Sequence, residues 1–297
     1  MQSLTRAGLR RLLCLKDIVS PNGSVVGEYI EGKVRIRHYQ LGPGRIPALS
    51  IAPVRHEPGS CAVLYCHAHG GAYGIGKSEL LEGRPALLNP PLARAIAEAG
   101  AVVFCADMPG FGERQPEGSE SALAKSALWT GQTLLGQMVS DQLLALAVLI
   151  EHEKPSRVAT LGISMGGTLA YLVAALREDI AAVAHLCVFA DIAPLIETGD
   201  HDLHGPYLTI PGLLPAYDMS DIAALVTPRY QLVATGGGDP LTPDSAYECA
   251  MARLTEAYGD HPERLTIIRD KNSGHCETEL MREAVLAFLA ARFEMTP

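Results

Sequence analysis

The sequence predicts an α/β fold with a mostly parallel central sheet and helices on both of its faces. Short, continuous apolar runs such as CAVLYC (61–66) are typical of strands buried on both sides. Helix-like segments lie between these runs, and this alternation favours parallel strands joined by crossover helices. The chain has 297 residues, 48% of them hydrophobic, which is enough for one sizeable core. We therefore expect residues 1–297 to form a single domain.

The elements are expected in a simple order along the chain. An amphipathic helix at the N-terminus precedes two strands, KVRIRHYQL and IPALSIAP, which we expect to pair antiparallel at one edge of the sheet. The strands and helices that follow are CAVLYC (strand), PLARAIAEAG (helix), AVVFCA (strand), 121–153 (a long helix weakened by Gly131 and Gly136), RVATLGIS (strand), GGTLAYLVAALRE (helix), IAAVAHLCVFA (strand), RYQLVATGGGD (strand), PDSAYECAMARLTEAYG (helix), RLTIIRD (strand) and 277–293 (helix).

One segment interrupts the alternation. Residues 191–228 contain five prolines with apolar residues between them and are too long for an ordinary connection, so an inserted lid or pocket wall is predicted. Its apolar side chains could instead simply pack the insert onto the body of the protein. The residues that could line a substrate pocket are Tyr207, Leu208, Ile210, Leu213, Leu214, Tyr217 and Met219.

The charge balance and the cysteines limit the partners and the compartment. The net charge is −9, and no basic run is longer than Arg10-Arg11, which disfavours nucleic-acid binding and anchoring to an anionic membrane. The longest apolar run, 143–150, is far shorter than the ~20 residues of a membrane helix. The seven cysteines form no CxxC pair, which is typical of reduced thiols. We expect a cytoplasmic protein, although the N-terminal segment could also be a transit peptide.

The strongest chemical signal is the motif Gly162-x-Ser164-x-Gly166. It follows a predicted strand and precedes a predicted helix, which is the setting of a nucleophile elbow. Side chains at positions 162 and 166 would collide with neighbouring backbone in so sharp a turn. The backbone N–H of Met165, at the start of the helix, could stabilise an oxyanion. The alternative is a chance match in a glycine-rich turn.

A serine nucleophile needs a base and a carboxylate that orients the base. His275 lies in a loop after the last predicted strand, and Asp239 follows the preceding strand, so both belong to the edge where ligand chemistry gathers in such sheets. Asp239 could also serve only as a turn or cap residue before Pro240. Asp191 and Asp270 are alternative candidates for the carboxylate.

The loop HAHGGAYGIGKSE, after the CAVLYC strand, is expected to supply the second oxyanion donor from the N–H of His69 or Gly70. His67 is expected to orient this loop. A metal site built from His67 and His69, with HDLH (201–204), is the alternative, but no acidic residue follows at the spacing of hydrolytic zinc sites. We therefore do not expect a metal site here.

Four stretches and a final SGHCET resemble the α/β-hydrolase superfamily, in its dienelactone-hydrolase and acetyl-xylan-esterase-like branch. The stretches are CHAHGGAYGIGKSELLEGRP, ADMPGFGER, LGISMGGTLA and VTPRYQLVATGGGDPLTP, and the likeness spans about residues 34–293. The resemblance implies a hydrolase without metal or cofactor that forms an acyl-enzyme, with Ser164 as nucleophile, His275 as base and Asp239 as acid. Dienelactone hydrolases carry cysteine where this chain has Ser164, which favours an ordinary carboxylic-ester hydrolase.

The favoured function is therefore hydrolysis of a small-molecule carboxylic ester by a protein that could form a homodimer. Two alternatives are a serine peptidase or amidase on the same fold and a catalytically silent hydrolase fold that binds a ligand. The peptidase alternative lacks a clear pair of glutamates to bind a peptide amino terminus. Asp107 and Arg114 could form a structural ion pair or meet a polar substrate, and the structural ion pair is favoured. Trp129 is expected to pack in the core or against a helix rather than to serve as a substrate platform.

Overall fold

The computed structural model describes residues 3–15, 22–56 and 59–293. The strands in these ranges are β1 (Gly23–Glu31), β2 (Val34–Leu41), β3 (Ile46–Pro53), β4 (Ala62–Cys66), β5 (Val102–Ala106), β6 (Val158–Ile163), β7 (Ile180–Leu186), β8 (Tyr230–Gly236) and β9 (Leu265–Asp270). The helices are α1 (Arg6–Leu12), α2 (Glu79–Glu82), α3 (Leu92–Glu98), α4 (Glu120–Trp129), α5 (Leu134–Glu153), α6 (Met165–Leu176), α7 (Ile192–Thr198), α8 (Met219–Ala224), α9 (Asp244–Ala257) and α10 (Glu279–Phe293).

All of these strands belong to one sheet with the order β1-β2-β3-β5-β4-β6-β7-β8-β9. The strands β1, β2 and β3 pair antiparallel and join β5, and every pairing from β5 through β9 is parallel. The predicted parallel sheet with an antiparallel edge is thus confirmed. The edge strand β1 was not predicted, because its side chains are largely exposed on both faces and therefore do not alternate in polarity.

The sheet separates two apolar cores, because successive strand residues point to opposite faces. In β4, Ala62, Leu64 and Cys66 pack into a core with α1, α5, α6, α8 and α9. Their neighbours Val63 and Tyr65 pack into a second core with α3 and α10. Helices therefore cover both faces of the sheet, as predicted.

The long helix predicted over 121–153 is wrong, because the structure divides it into α4 and α5. Gly131 adopts a φ of +70° just after α4, a left-handed conformation that ends a helix. Thr133 then begins α5 as its N-cap, since its side-chain oxygen accepts a hydrogen bond from the N–H of Gly136. Trp129 lies at the end of α4 and is 91% exposed, so its predicted packing role is also wrong.

Helix α5 is long and apolar enough, by length and composition, to cross a membrane. In its most apolar window, 61% of the residues are nevertheless buried inside the protein. The core helices of soluble proteins can be equally long and apolar, so this helix is weak evidence for a membrane span.

The insert 191–228 connects β7 to β8 and contains α7, α8 and irregular segments. Its two ends are joined by buried carboxylates. Asp191 accepts hydrogen bonds from the N–H and hydroxyl of Ser220, and Asp218 accepts them from the N–H groups of Ile192 and Ala193. These contacts hold the two ends of the insert together.

The cap at Thr133 generates a prediction about stability. Replacing Thr133 by Ala should lower the free energy of unfolding by about 1 kcal/mol, because the N–H of Gly136 loses its acceptor in a buried position. Urea denaturation measures this change. The matched control is Thr133→Ser, which keeps the hydroxyl and should stay close to the wild type; equal losses in both variants would contradict the capping role.

Candidate active site

Ser164 lies in the turn between β6 and α6 with φ 56° and ψ −130°, a strained conformation for a residue with a side chain. The turn requires glycine on both sides. A Cβ atom at Gly166 would lie 1.9 Å from the carbonyl oxygen of Cys66, and one at Gly162 would lie 2.3 Å from the carbonyl of Gly166. The collision predicted from the sequence is thus confirmed, and the turn presents Ser164 at the carboxyl edge of the sheet.

The loops after β8 and β9 bring Asp239 and His275 to this serine. His275 Nε2 lies 2.9 Å from Ser164 Oγ, and His275 Nδ1 lies 2.8 Å from Asp239 Oδ2. A carboxylate can only accept, so Nδ1 carries the proton and Nε2 is free to accept from the serine hydroxyl. The Asp239 side chain is fully buried, and its other oxygen accepts the N–H of Leu241. Asp239, His275 and Ser164 are therefore connected, in that order, by hydrogen bonds.

The other two candidate carboxylates lie elsewhere. Asp191 accepts two hydrogen bonds from Ser220 within the insert, and burial raises the pKa of Asp191. Asp270 accepts the N–H of Asn272 in the turn after β9. Of the three candidates, Asp239 is the one hydrogen-bonded to His275.

The loop after β4 carries the candidate oxyanion donors. Among the described residues, the N–H groups of His69, Gly70 and Met165 have no hydrogen-bond acceptor. Gly70 has a φ of +52°, and a Cβ atom there would lie 2.7 Å from Arg84 Nη1, so this position requires glycine. Unpaired amides beside Ser164 are suited to stabilise negative charge on an oxygen bound there.

A buried ion pair between Arg84 and Glu79 stabilises this loop. The sequence analysis did not identify this pair. Arg84 pairs with Glu79 and donates hydrogen bonds to the carbonyl oxygens of Ala68 and His69. Glu79 also accepts from the N–H of Ala68 and the hydroxyl of Tyr65. Burial, reinforced by the Glu79 charge, raises the pKa of Tyr65 well above its ordinary value, so its hydroxyl remains a donor. Glu79 and Arg84 are two of the four charged residues in the stretch KSELLEGRP, and this cluster of charges is the feature of the sequence that could have indicated the ion pair.

His67 orients the start of the same loop, as the sequence suggested. It is completely buried, its Nδ1 donates to the carbonyl oxygen of Ala68, and its Nε2 accepts the N–H of Met108. Burial lowers the pKa of His67, so the ring is held neutral in this tautomer. His67 therefore links the end of β4 to the loop after β5.

The predicted ion pair between Asp107 and Arg114 is wrong. The buried Asp107 carboxylate binds the side-chain ammonium and the backbone N–H of Lys77 instead. Arg114 donates to the carbonyl oxygen of Asp107 and forms its ion pairs with Glu117 and Asp141. Both residues stabilise the turn after β5, but through different partners.

A pocket of about 320 Å³ opens over the serine. Its lining residues are His69, Gly70, Gly71, Ser164, Cys187, Val188, Leu203, His204, Gly205, Tyr207, Leu241 and His275. The insert contributes Leu203, His204, Gly205 and Tyr207, so Tyr207 lies where the sequence analysis placed it.

A second, mostly apolar cavity of about 490 Å³ adjoins this pocket, since His204 and Gly205 line both. The insert residues expected at the substrate pocket that line this cavity are Leu208, Ile210, Leu213, Leu214 and Met219. Tyr217 does not belong to either space. It lines a different cavity beside α1.

His204 stands between the two spaces with its ring half-buried. Its Nε2 is shielded from solvent and has no hydrogen-bond partner among the described residues. Burial lowers the pKa of His204, which favours the neutral ring.

A metal site would require several ligating side chains that lie close together. In the described ranges no group of three or more His, Cys, Asp or Glu side chains is placed to hold a metal ion. His69, one of the two histidines in the metal alternative, is instead hydrogen-bonded to Glu120 and to the N–H of Gly71.

Comparison with known proteins gives the same fold. A family model described as alpha/beta hydrolase fold matches residues 62–209. The Bacillus subtilis (strain 168) protein named "Putative hydrolase YtaP" is 35% identical over 252 residues, which cover 84% of each chain.

Two solved structures align over nearly the whole chain. One is an acetyl xylan esterase from Paenibacillus sp. R4, with TM-score 0.68, 18% identity, and coverage of 97% of this chain and 93% of that one. The other is acetyl xylan esterase 1 from Thermoanaerobacterium sp. JW/SL YS485, with TM-score 0.69, 16% identity, and coverage of 96% and 92%. At these identities the likeness concerns the fold. Together with the family model and the Bacillus relative, it shows that the chain belongs to the α/β-hydrolase family.

Proposed function

We propose that the protein is a serine hydrolase that cleaves carboxylic esters of small molecules through an acyl-enzyme. The observation that carries the proposal is the continuous hydrogen-bonded series Asp239–His275–Ser164 at the edge of the sheet. The esterase names of the structural neighbours support ester bonds as the substrate class.

The geometry supports the following reaction. His275 Nε2 takes the proton of Ser164 as the serine oxygen attacks the ester carbonyl. The carbonyl oxygen gains negative charge and accepts hydrogen bonds from the N–H of Met165 and from the N–H of His69 or Gly70. His275 then returns the proton to the leaving alcohol, and a water activated by the same ring releases the acid. Asp239 holds the ring and stabilises its charged form throughout.

The pocket favours an ester over a peptide. Among the described residues that line this pocket there is no Asp or Glu; Asp202 lines the adjoining cavity instead. An aminopeptidase would need such a group to bind a charged amino terminus. The adjoining apolar cavity suits a hydrocarbon part of the substrate.

The first prediction from this proposed function concerns the triad. In Asp239→Asn the rate of ester hydrolysis should fall about 10⁴-fold, because the histidine loses the partner that fixes its tautomer. Ser164→Ala should abolish both hydrolysis and covalent labelling by a fluorophosphonate. Turnover of p-nitrophenyl acetate and gel-based labelling measure these effects.

Asp270→Asn is the matched control for the carboxylate. It makes the same chemical change in the neighbouring loop, where Asp270 accepts an N–H of its own turn, and it should keep most of the activity. If the Asp270 variant lost as much activity as the Asp239 variant, the assignment of the acid would be wrong.

The second prediction concerns the adjoining cavity. Leu214→Trp should fill part of this space and reduce kcat/KM for butyrate and hexanoate esters, while acetate hydrolysis stays near the wild-type level. The control is Leu280→Trp on α10, because this side chain is exposed and lines neither the pocket nor the adjoining cavity. A chain-length profile identical in the two variants would rule out this cavity as a substrate subsite.

A further inference from the structure

The buried carboxylate of Glu120, outside the triad, accepts three hydrogen bonds. Glu120, the first residue of α4, is only 5% exposed. Its Oε2 lies 2.6 Å from His69 Nε2 and 2.9 Å from the hydroxyl of Tyr73. Its Oε1 accepts the backbone N–H of Tyr207 at 2.9 Å. A single side chain thus contacts the oxyanion loop after β4 and the insert between β7 and β8.

The partner His69 is fixed by these contacts in one tautomer. Its Nδ1 accepts the N–H of Gly71 at 3.0 Å, so its Nε2 carries the proton that is donated to Glu120. The ring also packs against Phe111, Tyr73 and Tyr207, with ring centroids 5.1–5.8 Å away. Through this ring Glu120 constrains the backbone of 69–71, which carries two of the candidate oxyanion donors.

The environment keeps the three donors in their donating form. Burial, together with the nearby Glu120 carboxylate, raises the pKa of Tyr73 to about 12, so its hydroxyl retains its proton at neutral pH. The hydrogen bonds lower the pKa of Glu120 in spite of its burial, which favours the carboxylate as acceptor. Gly205 fits tightly beside it, because a Cβ atom there would lie 2.4 Å from Glu120 Oε1.

We propose that Glu120 is a positioning residue that ties the oxyanion loop to the insert, so that the oxyanion donors and the Tyr207 wall of the pocket are held in one arrangement. The catalytic half of this inference rests on the proposed function. Glu120 itself does not line the catalytic pocket; it acts through His69 and through the backbone of Tyr207.

The chemistry of an amide makes Glu120→Gln a sharp test. All three partners are donors, and they are divided between the two carboxylate oxygens. A glutamine of the same shape must turn its NH₂ group toward at least one of these donors, where no acceptor exists. His69 cannot resolve the conflict, since its Nδ1 already accepts from Gly71.

The expected kinetic result is a fall in kcat of about 10- to 100-fold for p-nitrophenyl acetate, with KM changed less than about threefold, because a displaced oxyanion donor weakens transition-state binding more than substrate binding. The matched control is Glu117→Gln, which removes the same charge from an exposed side chain nearby and should retain wild-type kinetics. A Glu120→Gln enzyme with the kinetics of this control would overturn the catalytic role.

Hydrogen–deuterium exchange tests the tether without any substrate. In Glu120→Gln, exchange should accelerate in peptides that cover 68–74 and also in those that cover 205–210, whereas Glu117→Gln should alter neither. Acceleration in only one of the two segments, or in neither, would overturn the tether. If the wild type hydrolysed no ester, the proposed function would fail, and the exchange rates alone would decide whether Glu120 joins the two segments.

A milder variant, Tyr73→Phe, tests the same proposal if Glu120→Gln does not fold. Tyr73→Phe removes one donor and leaves the carboxylate in place. If thermal unfolding shows that Glu120→Gln does not fold, Tyr73→Phe should give a several-fold fall in kcat and faster exchange in 68–74. Unchanged values in this variant would contradict the proposal.

Discussion

The site depends on the close contact between the Ser164 turn and the end of β4. Gly166 approaches the carbonyl of Cys66 so closely that a methyl group could not fit between them. Cys66 is the residue before the loop that carries His69 and Gly70. The same contact that bends the chain at Ser164 therefore also brings the amides of His69 and Gly70 beside it, so Ser164 and the candidate oxyanion donors share one constraint.

The loop after β4 is held mainly by polar groups, for a physical reason. Gly70 and Gly71 have no side chains with which to pack, and their backbone freedom must be limited by other contacts. Arg84 and Glu79 bind the loop from below, His67 fixes its start, and Glu120 reaches it through His69. Each buried charge in this arrangement has an opposite charge or several donors around it, as burial requires.

The insert plays two parts in the same region. Its residues His204 and Tyr207 form a wall of the catalytic pocket, while Leu213 and Leu214 enclose the adjoining cavity. Its own carboxylates, Asp191 and Asp218, close it into a compact segment. The hydrogen bond from the N–H of Tyr207 to Glu120 attaches the insert to α4, and Glu120 also contacts His69 of the loop after β4.

The sequence by itself determined the parallel sheet, the elbow at Ser164 and the candidates Asp239 and His275. Apolar runs, glycine spacing and position after strands are local properties, and parallel strands bring their carboxyl ends together without further information. Tertiary structure decided the rest. In the folded chain Asp239, rather than Asp191 or Asp270, is hydrogen-bonded to His275. The predicted long helix ends near Gly131, and Trp129 is exposed. Asp107 pairs with Lys77, and Tyr217 lines a cavity other than the one at Ser164. The partners of Glu120 and Arg84 also became visible only there, because a buried charge pairs across distances along the chain that no local pattern records.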